Sequence, residues 1–296
     1  MRHLKTALKL LISLGLLALV FSQIDPKELV TTLKKCDPFW LFMAFLAFNA
    51  SKILSAVRLN YYFKDLGLTL DEKTNLKLYY LGMFYNLFLP GGIGGDGYKI
   101  YLLKKYHGIS IKDLTLAHLL DRLSGLVALL FLGAGLFLFS LYAQKFFWLK
   151  VLALMTLFLS YPIFLWLHLR LFKKFATYIK ETTLLGLGVQ LLQLASAYAI
   201  IKALPQTVPM IEFLTLFLIS SIVAVLPLTI GGIGAREATF LYGLKLIGHD
   251  PAIGVAFSFC FFLISAISSA IGIFFINIAA HLELMRQDSQ NAAAKK

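Results

Sequence analysis

Charged residues are scarce in this chain, at 15% of its 296 residues, whereas soluble domains carry roughly 25%. Hydrophobic residues make up 59%, and runs such as 6–21 and 123–141 approach the ~20 residues that cross a ~30 Å hydrocarbon layer. The ten-residue segments of alternating polarity that are typical of transmembrane barrels are absent. The sequence therefore predicts an all-α polytopic membrane protein and excludes an ordinary soluble domain.

Cysteine and catalytic motifs are also scarce. Two cysteines, Cys36 in a polar connection and Cys260 in an apolar segment, cannot build a disulfide framework or a metal cluster. The sequence has no G-x-S-x-G motif, no Walker A motif and no metal-ligand spacing. We expect no cofactor, no metal and no ATP hydrolysis by this chain. The net charge of +13 is typical of cytoplasmic Lys/Arg bias, and no nucleic-acid partner is expected.

Six full spans are predicted, and the N-terminal one is interpreted as a retained helix rather than a signal peptide. They cover 6–23, 39–60, 114–142, 147–168, 184–204 and 251–280. The segment 24–38 fits either an interfacial helix or a plain loop. We expect residues 1–280 to form one membrane domain and 281–296 to form a polar cytoplasmic tail.

Two apolar segments, 76–89 and 211–226, are too short for simple spans, and each runs into a proline and a glycine cluster. Re-entrant hairpins fit such segments, since glycine-rich backbone at membrane depth must be covered by protein or line a cavity. If each hairpin returns to the side of the membrane from which it enters, 18 Lys and Arg residues lie on the cytoplasmic side and 7 on the outer side. This bias predicts cytoplasmic N and C termini, with the first hairpin entering from the cytoplasm and the second from outside.

An internal repeat relates the two hairpins. Residues 89–99 align on 226–236 without gaps, with six of eleven positions identical, and basic Lys99 matches Arg236. Opposite entry makes this an inverted repeat, an arrangement in which transporters place substrate near the midplane. Open backbone N–H groups at the start of the second helix of each hairpin would bind an anion such as phosphate. The alternative is that the glycines only allow tight helix packing. The predicted site residues in the repeats are Gly94, Gly95, Asp96, Lys99, Gly231, Gly232, Arg236 and Glu237.

Three further ionisable residues lie at membrane depth. Lys52 is near the middle of the second span, where a charge indicates function unless it snorkels to the surface. Asp121 and Arg122 are adjacent, so they do not face each other. Asp121 could pair with Lys99 or Arg236, or the two residues could form an interfacial polar turn. We predict one polar cavity that joins these residues to both hairpins.

Three motifs carry a family resemblance. They are Pro90-Gly91-Gly92-Ile93-Gly94-Gly95-Asp96 followed by Lys99, then Asp121-Arg122-Leu123-Ser124-Gly125, then Gly231-Gly232-Ile233-Gly234-Ala235-Arg236-Glu237. Over nearly its whole length the chain resembles the lysylphosphatidylglycerol synthase transmembrane-region family, a flippase-like domain. The resemblance implies lipid translocation in a bacterial inner membrane. Lys99 stands where arginine is expected, which weakens bidentate phosphate binding at that position.

Three hypotheses follow, and the inverted repeat favours the first. The chain is a lipid translocase for an anionic phospholipid or polyprenyl-phosphate headgroup, and not itself an enzyme. Alternatively it is a membrane-embedded transferase, with Asp96 and Asp121 as the candidate carboxylates, or a structural subunit of an envelope-lipid complex. The expected partners are membrane lipids with an anionic headgroup, and a lipid-modifying enzyme is a candidate protein partner.

Overall fold

The structure is a computed structural model, and it describes residues 14–15, 18–20, 22, 26–88, 94–205, 208–225 and 234–278. Helices joined by short turns make up this part of the chain. These residues contain no strand, so the all-α prediction is confirmed. The α-helices are α1 (Pro26–Lys34), α2 (Pro38–Asp65), α3 (Glu72–Phe88), α4 (Gly94–His107), α5 (Ile111–Phe139), α6 (Leu141–Lys145), α7 (Phe147–Leu171), α8 (Ile179–Ala203), α9 (Met210–Val225), α10 (Ala235–Leu246) and α11 (Pro251–Ala270). Short 3-10 helices cover Lys173–Phe175 and Ile271–Phe275.

Five of the described helices are long and apolar enough to cross a membrane. They are α2, α5, α7, α8 and the stretch Pro251–Phe275, in which α11 continues into a 3-10 helix. The predicted span 6–23 lies mostly outside the described residues. The segment 24–38, for which a helix and a loop were both open, contains the helix α1.

Several predicted span boundaries differ from the structure. Helix α8 begins at Ile179 rather than near residue 184. Helix α2 runs on to Asp65 rather than ending near residue 60, so it is more than one turn longer. The predicted span 114–142 ends as α5 at Phe139, because Ser140 adopts extended backbone. The Ser140 hydroxyl donates to the Phe137 carbonyl at 2.7 Å, and the Leu141 N–H donates to the Glu212 carboxylate at 3.1 Å. These two bonds satisfy polar groups at the break, where an uninterrupted helix was expected.

The two short segments form helical hairpins. Helix α3 packs against α4, and α9 packs against α10. The longest of these arms has 17 residues, which at 1.5 Å per residue spans about 26 Å, less than the ~30 Å hydrocarbon layer. The turn residues 89–93 and 226–233, including both prolines, lie outside the described residues.

Two apolar clusters divide the interior, and helix α2 contributes to both. One cluster includes Phe48 and surrounds α9 and α10, while the other includes Tyr62 and surrounds α3 and α4. Helix α8 packs along α2, with the Ser196 hydroxyl donating to the Ala44 carbonyl at 2.9 Å. Lys52 lies on α2 between these clusters, so the chain places a cation at the boundary between the two hairpin regions.

Candidate functional site

The first hairpin carries a carboxylate that binds two cations. Asp96, in the first turn of α4, lies 2.9 Å from the Lys99 Nζ and accepts a hydrogen bond from the Arg122 Nε at 3.1 Å. The Arg122 Nη2 donates to the same Asp96 oxygen. Only 4% of Lys99 is exposed, whereas 45% of the Arg122 side chain is. Three of the predicted site residues therefore meet at the start of α4.

A second ion pair joins α2 to α5, and one of its members was missed from the sequence. The Arg58 Nε lies 2.7 Å from the Asp121 Oδ1, and the two side chains are 5% and 13% exposed. Asp121 was expected to pair with Lys99 or Arg236, and it binds Arg58 instead. Arg58 is one of the 18 basic residues that the charge bias predicts on the cytoplasmic side. Because α2 continues to Asp65, Arg58 lies inside the helix bundle.

Arg236, one residue into α10, binds hydroxyls and aromatic rings. Its Nη1 donates to the hydroxyls of Ser220 and Ser221 on α9, each at 3.1 Å. The guanidinium carbon lies 4.7 Å from the Phe261 ring centroid and 5.6 Å from that of Phe217. Within the described parts of the chain, no carboxylate lies within ion-pair distance of it. The second hairpin therefore presents a cation that no described acid neutralises.

Glu237 follows Arg236 directly but serves another purpose. One of its carboxylate oxygens accepts the Gly234 N–H at 2.7 Å, and the other accepts the Ser258 hydroxyl at 2.8 Å. Gly234 has a φ of 82°, a left-handed conformation that favours glycine. Glu237 thus caps the start of α10 and links it to α11, and its charge acts on Arg236 without forming an ion pair with it.

Lys52 lies over an aromatic ring rather than beside an acid. Its Nζ is 4.4 Å from the Phe48 ring centroid, and no ion pair joins it to any carboxylate in the described residues. It interacts electrostatically with Arg236, and also with Arg58 and Asp121. Both Lys52 and Arg236 are partly exposed. The two rings under these cations, Phe48 and Phe261, pack edge to face with centroids 5.6 Å apart, so the structure brings two cations of the predicted site into one region of the interior.

One glycine of the first hairpin, Gly95, packs closely against the other helix, as the packing alternative predicts, whereas Gly97 has open space around it. A β-carbon at Gly95 would lie 1.9 Å from the carbonyl oxygen of Gly82 on α3. The Gly95 N–H, expected to be open to an anion, donates to the Asn86 side chain at 2.8 Å. Gly94 is the first residue of α4 and is partly buried. Gly231 and Gly232 lie outside the described residues, so their predicted role stays a prediction.

The arrangement suits electrostatic binding. None of the residues that the structure describes forms a group of three or more His, Cys, Asp or Glu side chains able to hold a metal ion. Asp96 and Asp121, the candidate carboxylates for a transferase, are each engaged with cations. Lys52 and Arg236, which form no ion pair with any described acid, can bind an anion by charge-assisted hydrogen bonds.

Comparison with known proteins identifies the family. The family model of the lysylphosphatidylglycerol synthase transmembrane region matches residues 6–272. A comparison with curated proteins finds no match. The matched range covers the helices α1 to α11, both hairpins and every predicted site residue. The chain therefore belongs to the lysylphosphatidylglycerol synthase transmembrane-region family.

Proposed function

We propose that the chain moves lipids with an anionic headgroup across the membrane, and that Lys52 and Arg236 bind the headgroup. Membership of this family supports a lipid-related membrane function. The headgroup is that of a phospholipid or a polyprenyl phosphate. The membrane is a bacterial inner membrane, with both chain termini in the cytoplasm, in keeping with the Lys/Arg bias of the sequence.

The observation that carries this proposal is the pair of cations without an acidic partner in the described residues. A Lys or Arg at the centre of a membrane costs at least ~2.5–3.5 kcal/mol, and such charges are normally paired or hydrated. Arg58 and Lys99 follow that rule, because Asp121 and Asp96 compensate them. Lys52 and Arg236 lie over the contacting rings of Phe48 and Phe261, and two like charges in one apolar region repel each other. An anion bound between them would remove that repulsion and supply the missing compensation.

The geometry of Arg236 fits a phosphate. Both Nη1 hydrogens are directed to Ser220 and Ser221, which fixes the plane of the guanidinium. The Nε and Nη2 donors make no hydrogen bond to a described residue, and this edge is the one that binds an oxyanion in bidentate fashion. The rings of Phe217 and Phe261 hold the guanidinium without neutralising it. Arg236 is therefore pre-organised for an anionic headgroup.

A scrambling assay in liposomes tests the proposal. The purified protein should accelerate the movement of labelled phosphatidylglycerol more than that of phosphatidylcholine. Lys52→Ala and Arg236→Ala should each lower the rate about tenfold, since each loses a charge-assisted bond to the headgroup. Arg236→Lys should fall between Arg236→Ala and the unaltered protein, because lysine keeps the charge but loses the bidentate edge.

Lys64→Ala is the matched control. Lys64 lies on the same helix as Lys52, but its ion pair with Glu72 is 3.5 Å long and exposed, so its loss should have little effect. Equal scrambling by the unaltered protein, Lys52→Ala and Arg236→Ala would contradict the proposal. Equal rates for the anionic and the zwitterionic lipid would contradict the charge selectivity.

A further inference from the structure

An apolar groove runs beside the second hairpin. It has a volume of about 580 Å³, within the ~300–1,000 Å³ usual for ligand pockets. Helix α10 forms one wall with Ala235, Ala238, Thr239, Tyr242 and Leu246, and the other walls come from α9, from the end of α5 and from the start of α7. None of the described residues that line the groove carries a charged side chain. We call it the lateral groove.

We propose that the lateral groove holds one acyl chain of the transported lipid while the headgroup is bound at Lys52 and Arg236. This proposal rests on the proposed function and adds where the hydrophobic part of the substrate lies. A headgroup near the middle of the membrane cannot keep its acyl chains in their usual leaflet position. A groove that begins next to the headgroup site gives one chain an apolar path.

The length of the groove fits one acyl chain. Its α10 wall runs from Ala235 to Leu246, which at 1.5 Å per residue is about 16 Å. One leaflet supplies half of the ~30 Å hydrocarbon layer, so an acyl chain is accommodated over ~15 Å. A groove of this length takes a chain from the headgroup end to its methyl end.

The groove begins at the proposed headgroup site. Ala235, at one end of its α10 wall, directly precedes Arg236. Arg236 and the lining residue Gly243 are seven residues apart, about two helical turns, so they lie on the same side of α10. On α9, Leu216 and Ile219 line the groove, while the neighbouring Ser220 binds Arg236. Arg236 itself does not line the groove, and its guanidinium lies on the adjoining face of α10 against Ser220 and Phe261. The proposal therefore places the phosphate on that face and one acyl chain around the helix in the groove.

The rim of the groove is open to surrounding lipid. Leu149, Tyr242 and Leu246 line the groove and are 45%, 48% and 47% exposed. In a chain that spans the membrane, these exposed apolar side chains face hydrocarbon rather than water. An acyl chain can thus enter sideways from the bilayer without crossing a polar barrier.

Filling the groove tests the proposal. Ala238→Trp places an indole on the α10 wall and should lower scrambling of dioleoyl phosphatidylglycerol about tenfold, because the chain no longer fits. A diazirine-labelled phosphatidylglycerol should crosslink to α10 in the unaltered protein and lose that crosslink in Ala238→Trp. Ala238→Leu fills less of the groove and should give an intermediate rate. It tests the proposal even if the tryptophan variant fails to fold.

A second apolar groove, between α5 and α7, supplies the matched control. Leu159 lines it and is 44% exposed, so Leu159→Trp makes the same kind of change away from Arg236 and should scramble at the unaltered rate. If folded Ala238→Trp and Ala238→Leu both scramble normally while Arg236→Ala is impaired, the groove proposal is overturned and the headgroup site stands. If Arg236→Ala also scrambles normally, the proposed function itself fails.

Discussion

Replacing Gly95 by alanine should separate the two arms of the first hairpin. The new β-carbon would lie 1.9 Å from the Gly82 carbonyl oxygen and 2.8 Å from the Gly82 α-carbon, whereas ordinary contacts begin at 3.4 Å. The obstacle is backbone, so no side chain can rotate away, and α3 and α4 must move apart by about 1.5 Å at this crossing. Overpacking of this kind costs about 1–3 kcal/mol, and here it also strains the Asn86 bond to the Gly95 N–H.

Gly97→Ala is the control on the same helix. A β-carbon at Gly97 would have no neighbouring atom within 4 Å, so alanine should stabilise α4 by about 0.5–1 kcal/mol through its helix propensity. The two variants should differ by about 2 kcal/mol or more in the free energy of unfolding. Equilibrium unfolding in detergent micelles, followed by circular dichroism, measures this difference. Equal stability of Gly95→Ala and Gly97→Ala would refute the close crossing of α3 and α4.

Three further predictions concern the ion pair, the helix cap and the topology. Asp121→Ala leaves the Arg58 charge buried without its partner and should lower the free energy of unfolding by about 3–5 kcal/mol. The apolar double variant Arg58→Met/Asp121→Leu should recover most of this loss in the same unfolding experiment. Glu237→Ala removes the acceptor of the Gly234 N–H and should cost about 1–2 kcal/mol in thermal unfolding, and an unchanged unfolding temperature would rule out the cap. Cysteines placed at the exposed positions Lys104 and Lys245 should react with a membrane-impermeant maleimide from opposite sides, and labelling from one side only would contradict the inverted hairpins.

The sequence predicts the helices and hairpins well, because both depend on local features. Apolar runs set the spans, and a proline followed by glycines ends each short arm. The family resemblance also emerged from these local motifs and is confirmed by the match to residues 6–272. The break at Ser140 was missed, because it depends on Glu212, which lies on a distant helix. The local sequence around Ser140 does not show that a hydrogen-bond acceptor 71 positions away will lie beside it in the fold.

Charge pairing was the least predictable part of the candidate site. Arg58 looked interfacial because it is near the end of an apolar run, and its burial depends on how α5 and α8 cover it. Its partner Asp121 lies 63 positions further along the chain. Lys52 was predicted as a site residue from its charge at membrane depth, and Arg236 from its place in the repeated glycine motif. That they lack acidic partners in the described residues is a property of the folded arrangement and not of composition.

The helices α4 and α10, each the second helix of its hairpin, are capped by residues at different distances along the chain. The start of α10 is capped by Glu237, three residues onward in its own first turn, whereas the start of α4 is capped by Asn86 of the preceding arm. During synthesis α10 can form a capped first turn as soon as its own residues are available. Helix α4 gains its cap only when it has folded back on α3. We therefore expect the two hairpins, although their sequences align, to assemble in different orders, with the first hairpin closing as a unit.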